Sequence, residues 1–102
     1  MSVDTDVVLD EKIKIKNAIP SRFKVIFLND DTTPMDFVIE VLMEIYKHTE
    51  ETAAGITMEI HTEGSGVVGV YTHEIAEQKA IETTNLSKQN GFPLQVRIEE
   101  DR

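Results

Sequence analysis

Residues 23–38 have the sequence FKVIFLNDDTTPMDFV, in which an apolar run is followed by a polar turn and then by the start of a helix. The run at 23–28 is rich in β-branched and aromatic residues, which favour a strand. The Asn-Asp-Asp triplet at 29–31 favours a turn, because these side chains bond to nearby backbone. The Thr-Pro-Met-Asp sequence at 33–36 supplies an N-cap hydroxyl, a proline for the first helical position and an acid for the positive helix end. The stretch predicts strand one, a turn and helix one.

The rest of the chain adds two helices and two strands. Apolar residues at helical spacing continue helix one, and a second helix is predicted over residues 49–64 with a threonine cap and a glycine end. Residues 67–71 predict strand two, and helix three begins after the Thr72 cap. The alternation of apolar and polar residues over 94–98 predicts strand three. The inward face of helix three is predicted at Ile75, Ala76, Ala80 and Thr83.

The predicted order is β-α-α-β-α-β, which indicates a two-layer α+β fold. Three helices then cover one face of a three-stranded sheet, and a right-handed crossover between strands two and three places strand one in the centre. Residues 1–22 are predicted to be a flexible N-terminal tail, and residues 23–102 a single domain. The surplus of negative charge lies wholly in that domain, because the tail carries four acids and four bases.

Composition limits the classes of function. The chain has 102 residues, of which 40% are hydrophobic and 28% charged, as in an ordinary globular domain. A net charge of -9 opposes binding to nucleic acid or to anionic lipid, so the expected partners are proteins or cationic groups. The absence of cysteine excludes disulfides and thiolate chemistry, and the N-terminal residues match neither a secretion signal nor a transit peptide. We therefore expect a cytoplasmic protein, with a monomer as the default.

Motifs for catalysis are absent. The sequence has no glycine-rich phosphate loop, no serine nucleophile elbow, no His-Glu-x-x-His and no calcium loop, so neither an enzyme nor a cofactor is expected. His61 could bind a divalent cation together with Asp30 and Asp31, but the spacing of these residues has no metal signature. The alternative for the two acids is a capped turn between a strand and a helix.

Several blocks of the chain, in the same order, resemble the ClpS family, the bacterial adaptors of the Clp AAA+ proteases. The blocks are FKVI at 23–26, NDD at 29–31, TPMDFV at 33–38, IH at 60–61, GVYT at 69–72, EIAEQK at 74–79 and FPL at 92–94. The resemblance implies an adaptor rather than an enzyme, with the fold of the C-terminal domain of the bacterial ribosomal stalk protein. That fold has the element order predicted above.

The resemblance also implies a substrate and a partner. Members of the family recognise proteins with N-terminal Leu, Phe, Tyr or Trp and deliver them to the N-terminal domain of a ClpA-type or ClpC-type unfoldase. An α-amino group only donates hydrogen bonds, so its capture requires several acceptors beside an apolar pocket. By resemblance, Asn29, Asp30 and His61 contact the amino group and the first peptide unit, while Asp31 steadies the turn and adds negative potential. The pocket itself is implied to be lined by Thr33, Met35, Val38, Thr57, Ile60 and Leu94.

Position 57 departs from the family, which usually has a methionine there. Threonine is shorter and carries a hydroxyl, so we expect a roomier and more polar pocket that favours Tyr or Trp over Leu. The unfoldase-facing residues are implied to be Glu74 and Lys79 on helix three. The alternative for Glu74 and Lys79 is that they belong to an ordinary solvated helix face. The alternative for the apolar pocket residues is that they belong to an ordinary hydrophobic core; these are Met35, Val38, Ile60 and Leu94.

Two other functions stay open at this point. One is an interaction module of the same fold, similar to the ribosomal stalk domain, that does not recognise amines. The other is a metal-dependent enzyme that uses His61 and the acids of the turn. The first would not depend on the turn at 29–31, and the second would retain a divalent metal.

Overall fold

Six elements follow the predicted order in the computed structural model of the chain, which describes residues 21–101. They are β1 (Arg22–Leu28), α1 (Met35–Glu44), α2 (Glu50–Glu63), β2 (Ser65–Thr72), α3 (His73–Gln89) and β3 (Gln95–Asp101). The predicted flexible tail lies outside the described residues, apart from Ser21 and Arg22. No helix in the described part of the chain is both long and apolar enough to cross a membrane.

The sheet has the strand order β2-β1-β3, so the central position predicted for strand one is confirmed. Both outer strands are antiparallel to β1. Arg22 at the start of β1 pairs with Thr72 and with Asp101, and Leu28 at its end pairs with Ser65 and with Gln95. The two outer strands therefore run parallel to each other, and α3 is the crossover that connects them.

The core lies between the sheet and the helices. Val25 and Phe27 of β1 are fully buried, and they pack with Val41 and Leu42 of α1 in one apolar cluster. The cluster also includes Tyr46, Ala53, Ile60, Val68, Ala76 and Leu94, so every helix and the long β2 strand contribute to it. Because β1 is central and buried, its C-terminal end is held in place, and so is the start of the turn that follows it.

Two details of the helices differ from the sequence prediction. The N-cap of α1 is Pro34 in extended conformation rather than Thr33, because the Thr33 hydroxyl donates to the Asp30 carboxylate and is not used by the helix. Ile75 was predicted to face inward on α3, but it is 40% exposed. The buried residues of α3 are Ala76, Thr83 and Ser87, which form one helical stripe about 100° away from Ile75.

Gly66 on β2 allows α2 to approach the sheet closely. A Cβ atom at this position would lie 2.9 Å from Cγ1 of Ile60, a buried residue of α2. Gly55 lies on the same helix and has nothing within 4 Å of such an atom. The close contact between β2 and α2 therefore depends on the absence of a side chain at position 66.

We expect Gly66→Ala to lower the free energy of unfolding by about 1–3 kcal/mol, because Ile60 must shift inside a packed core. The matched change Gly55→Ala should raise it by about 0.5–1 kcal/mol, since alanine is the better helix former. Urea denaturation of the two variants measures both values. An unchanged stability in Gly66→Ala would contradict the close packing.

Candidate functional site

A pocket opens where β1 ends, between the following turn, α1 and α2. Its wall contains every residue that the sequence analysis assigned to substrate binding, with the exception of Asp31 and His61. The lining residues are Leu28, Asn29, Asp30, Thr33, Met35, Val38, Thr57, Ile60 and Leu94. Leu28 was missed by the sequence analysis, although its place directly before the turn was the signal that could have identified it.

The two helices build the pocket with one pair of residues each. Met35 and Val38 lie at i and i+3 on α1, and Thr57 and Ile60 at i and i+3 on α2, so each pair shares one helix face. Val38 and Ile60 belong to the core cluster and also line the pocket. Met35 differs, because its side chain is 37% exposed at the rim. Core and pocket wall therefore share side chains, and the Met35 thioether lies at the edge.

The pocket is narrow in this structure. It encloses a volume of about 20 Å³, enough for a single water molecule. A large side chain would therefore need the wall to move. Met35 is the wall residue best able to do so, because it is exposed and has an unbranched chain with several rotatable bonds.

The turn between β1 and α1 is held by the carboxylate of Asp30. Its Oδ1 accepts hydrogen bonds from the backbone N–H groups of Thr32 at 2.8 Å and Thr33 at 2.7 Å, and its Oδ2 accepts one from the Thr33 hydroxyl at 2.8 Å. An acid two or three residues before such donors commonly closes a turn in this way. The steadying role expected of Asp31 therefore falls to Asp30. Asp31 is exposed and forms no hydrogen bond with another residue of 21–101.

Asp30 is also the charge at the pocket wall. Partial burial raises the pKa of its carboxyl, but the hydrogen bonds from Thr33 and Thr32 outweigh that effect, and the net pKa is lowered. The group is therefore ionised at neutral pH. A carboxylate offers about four lone-pair positions, so the three bonds of the turn leave room for roughly one more donor. The site can accept a hydrogen bond from a cationic group.

Asn29 connects the turn to the end of α2. Its backbone N–H donates to the carbonyl oxygen of Gly64 at 2.9 Å, and Gly64 has the left-handed φ of 92° that ends the helix. The Asn29 side chain is exposed and lines the pocket. This bond ties the start of the turn to the end of α2.

Thr57 is 3% exposed, and its hydroxyl donates to the carbonyl oxygen of Ala53 at 2.8 Å. The hydrogen of the hydroxyl is thus used within α2, as is common for threonine in helices. The expectation of a more polar pocket is therefore weakened, since the wall presents no free donor at this position. The difference in size between threonine and the methionine usual in the family remains.

His61 follows the pocket residue Ile60 in the last turn of α2. Its side chain is exposed and does not line the pocket. The described residues contain no group of three or more His, Asp or Glu side chains that could hold a metal ion. The arrangement therefore gives no support to a metal site formed by His61 and the two acids of the turn.

Glu74 and Lys79 have different surroundings on α3. Glu74 is exposed in the first turn, whereas the Lys79 ammonium donates to the carbonyl oxygen of Ile45 at 2.7 Å. The same ammonium lies 5.7 Å from the ring centroid of Tyr46 and 5.4 Å from that of Tyr71. Ile45 is the C-cap of α1, and its carbonyl has no hydrogen-bond donor within the helix. The Lys79 ammonium supplies that donor and places a positive charge at the negative end of the helix dipole. Lys79 is part of the packing between α1 and α3.

The Tyr46 hydroxyl completes this cluster. It shares a hydrogen bond of 2.7 Å with the Thr83 hydroxyl and donates to the carbonyl oxygen of Lys79 at 3.3 Å. Burial of the side chain raises the pKa of the Tyr46 phenol well above its usual value. The phenol is therefore neutral and acts as a structural hydrogen-bonding group.

We expect Lys79→Ala to lower the free energy of unfolding by about 1–3 kcal/mol, because it removes a charge-assisted hydrogen bond and two cation–π contacts. Glu74→Ala should change it by less than about 0.5 kcal/mol, as is usual for an exposed side chain. Urea denaturation measures both. Equal stabilities of the two variants would show that the Lys79 contacts contribute nothing to the folded state.

The turn makes stability depend on pH with a defined sign. Since the pKa of Asp30 is lowered in the folded state, its stabilisation is present above the ordinary value of 3.8 and is lost as the pH falls through the folded pKa. We expect the wild type to be more stable than Asp30→Asn at neutral pH, and this difference to shrink in acid. Urea denaturation from about pH 6 to about pH 2.5 measures the difference. Thr33→Val, which removes one of the three bonds, should show the same trend with a smaller amplitude, and a constant difference for Asp30→Asn would contradict the effect.

Comparison with known proteins gives a consistent result. The family model described as ATP-dependent Clp protease adaptor protein ClpS matches residues 18–97. The ATP-dependent Clp protease adapter protein ClpS of Helicobacter hepaticus is 47% identical over 81 residues, which cover 79% of this chain and 82% of the relative. The protein of the same name from Wolinella succinogenes is 43% identical over 96 residues, 94% of each chain.

A solved structure is also similar. It is the structure of Agrobacterium tumefaciens ClpS2 bound to L-phenylalaninamide, with 43% sequence identity and a TM-score of 0.79, and the match covers 81% of this chain and all of that one. The relatives are named as adaptors of a protease rather than as enzymes. From the matched length and these identities it follows that the chain belongs to the ClpS family of Clp protease adaptors, which are not themselves enzymes.

Proposed function

We propose that this protein binds the free α-amino group and the large hydrophobic first side chain of its substrates, and delivers them to a Clp AAA+ unfoldase–protease for degradation. The observation that carries the proposal is the ionised Asp30 carboxylate in a pocket wall that also contains the apolar side chains of Leu28, Met35, Val38, Ile60 and Leu94. Such a pair of features suits a ligand that has a cation directly beside an apolar group. An N-terminal residue with a large side chain is such a ligand.

The polar edge of the pocket would receive the amino group. An ammonium has three donors and needs acceptors that converge on it. Asp30 supplies one acceptor, and the exposed side-chain amide of Asn29 supplies a carbonyl oxygen for the amine and an N–H for the first peptide carbonyl. His61 stays a proposed contact from the adjacent helix end. Asp31, exposed beside the turn, adds negative potential at the entrance.

The apolar part of the pocket would receive the side chain. Val38, Ile60 and Leu94 form a buried wall, and Thr33 lies between that wall and the turn. Because the volume is small without a ligand, binding of Leu, Phe, Tyr or Trp would need the wall to move, and the exposed Met35 is the wall residue best able to do so. Thr57 is shorter than the methionine usual in the family, and its hydroxyl bonds within α2, so any preference for the larger aromatic side chains would follow from size rather than from polarity.

The similar structure supports the substrate class. Agrobacterium tumefaciens ClpS2 is bound there to L-phenylalaninamide, a molecule with a free α-amino group and a phenylalanine side chain. The two proteins are 43% identical in sequence, and the match covers the full length of the ClpS2 chain. The same ligand chemistry is expected at the pocket of this protein.

The proposed partner is the N-terminal domain of an unfoldase of the ClpA or ClpC type, in the cytoplasm, with the adaptor as a monomer. Glu74 is exposed and available to such a partner, whereas Lys79 would influence binding through the position of α3. Residues 1–22 would assist delivery. The acidic surface opposes nucleic acid and membrane as alternative partners.

An interaction module of the same fold that ignores amines is the alternative function. It would bind its partner through surface residues and would not require a free N-terminus. The Asp30 carboxylate would then serve only the turn, as its three hydrogen bonds allow. The two functions differ in whether an acetylated ligand still binds.

Peptides that differ only in their first residue, Leu, Phe, Tyr, Trp or Met, test the proposal by fluorescence anisotropy. We expect the first four to bind, and acetylation of the Phe peptide to weaken binding at least about 100-fold, since a cation and its hydrogen bonds are lost. Asn29→Ala should weaken binding of the Phe peptide about tenfold or more, because one polar anchor is removed while the turn stays closed.

Asp31→Ala is the matched control, since this neighbouring acid does not line the pocket. It should weaken binding less than Asn29→Ala does. His61→Ala, measured in the same series, tests the proposed contact from α2. Equal affinity for the free and acetylated Phe peptides would overturn the proposal and favour the interaction module.

A further inference from the structure

Methionine is the residue type of this chain that a mild peroxide oxidises most readily. The sequence has four methionines and neither cysteine nor tryptophan, so the thioethers are the main targets. Three of the methionines lie in the described part of the chain, and all three are exposed. Met35 is 37% exposed, Met43 38% and Met58 51%. A peroxide dissolved in water can therefore reach each of these three sulfur atoms.

Met35 differs from the other two because it lines the pocket. Met43 and Met58 do not belong to the pocket wall. Met35 lies at the rim of a volume of only about 20 Å³, and it is the wall residue best able to move when a large side chain enters. Its thioether would then lie against the apolar side chain of the ligand. A chemical change at this one sulfur therefore alters the surface that the ligand contacts.

We propose that Met35 is a modification site, at which oxidation of the thioether to the sulfoxide by hydrogen peroxide weakens binding of the proposed ligands. The inference rests on the proposed function and adds a regulation of the same pocket. The sulfur attacks one oxygen of the peroxide, an S–O bond forms and the O–O bond breaks. The proton of the transferred hydroxyl moves to the departing oxygen, which leaves as water. The sulfur loses two electrons and the peroxide gains them.

The new oxygen lacks a hydroxyl partner in the pocket. A sulfoxide oxygen is a hydrogen-bond acceptor, and an acceptor that a ligand covers without a donor costs free energy. The Thr33 hydroxyl already donates to Oδ2 of Asp30 at 2.8 Å. The Thr57 hydroxyl already donates to the carbonyl oxygen of Ala53 at 2.8 Å. The Asp30 carboxylate is itself an acceptor, so none of these three wall side chains can satisfy the sulfoxide.

The side-chain amide of Asn29 is the remaining side-chain donor in the wall. It is proposed above to donate to the first peptide carbonyl of the ligand, so a bond to the sulfoxide would compete with that contact. The other wall side chains are apolar; they are Leu28, Val38, Ile60 and Leu94. The oxidised Met35 side chain therefore leaves its oxygen unpaired beneath the ligand, takes a donor from the ligand, or turns to water and gives up its contact. Each outcome lowers the affinity.

Anisotropy titrations with the Phe peptide, before and after treatment of the full chain with hydrogen peroxide, test the proposal. Catalase removes the peroxide before the titration, and mass spectrometry of proteolytic peptides gives the fraction of sulfoxide at each methionine. We expect the wild type with oxidised Met35 to bind at least about fivefold more weakly. Reduction by methionine sulfoxide reductases should restore the affinity.

Two leucine variants form a matched pair. Met35→Leu removes the proposed site and keeps the other methionines, so its affinity should be the same before and after treatment. The double change Met43→Leu and Met58→Leu removes two sulfur atoms of similar or greater exposure outside the pocket and keeps Met35. It should lose affinity to the same extent as the wild type. A loss in Met35→Leu as large as in the wild type would overturn the proposal.

Failure of the inference and failure of the proposed function give different results. If the untreated protein binds the free Phe peptide and the affinity is unchanged once Met35 is oxidised, the inference alone is overturned. Met35 that stays reduced while Met43 and Met58 are oxidised would also overturn it. If the untreated protein does not distinguish the free from the acetylated peptide, the proposed function is overturned, and the inference is overturned with it.

Discussion

The carboxylate of Asp30 accepts two backbone hydrogen bonds and one from the Thr33 hydroxyl, and these bonds close the turn between β1 and α1. The turn starts at the end of the central strand and is tied to the end of α2 by the bond from Asn29 to Gly64. Its closure therefore sets where α1 begins relative to α2, and the pocket lies between those two helices. The same carboxylate is the charge in the pocket wall, so the conformation and the electrostatics of the site depend on one side chain.

The core and the pocket also share three residues. Val38, Ile60 and Leu94 each belong to the apolar cluster that holds the helices on the sheet, and each lines the pocket. A change at any of them would alter stability and ligand fit together. The exposed residues, Met35 at the rim and Asn29 at the polar edge, can vary with less cost to the fold.

The sequence predicts the elements and their order, because strand alternation, helical spacing and the turn triplet are local signals. The residues around the pocket were implied by the resemblance to the ClpS family and not by these signals. Three features were not predicted from these local signals. Thr33 donates to Asp30 and so does not cap α1. Lys79 binds the carbonyl of Ile45, a residue 34 positions away, and is not a simple surface charge. Ile75 lies off the buried stripe of α3, since small residues at Ala76 and Ser87 pack closest to the sheet.

The close approach at Gly66 has a consequence for how the pocket opens. Because a carbon atom added at position 66 would lie 2.9 Å from Cγ1 of Ile60, α2 has little room to move closer to β2. Met35, which is exposed at the rim, is the wall residue best able to move. For the proposed ligands, the affinity would then include the free energy of opening the pocket. A shorter residue at position 35 would leave the pocket open before the ligand binds. Binding would then be tighter because less free energy is needed to open the pocket, and not because new contacts form.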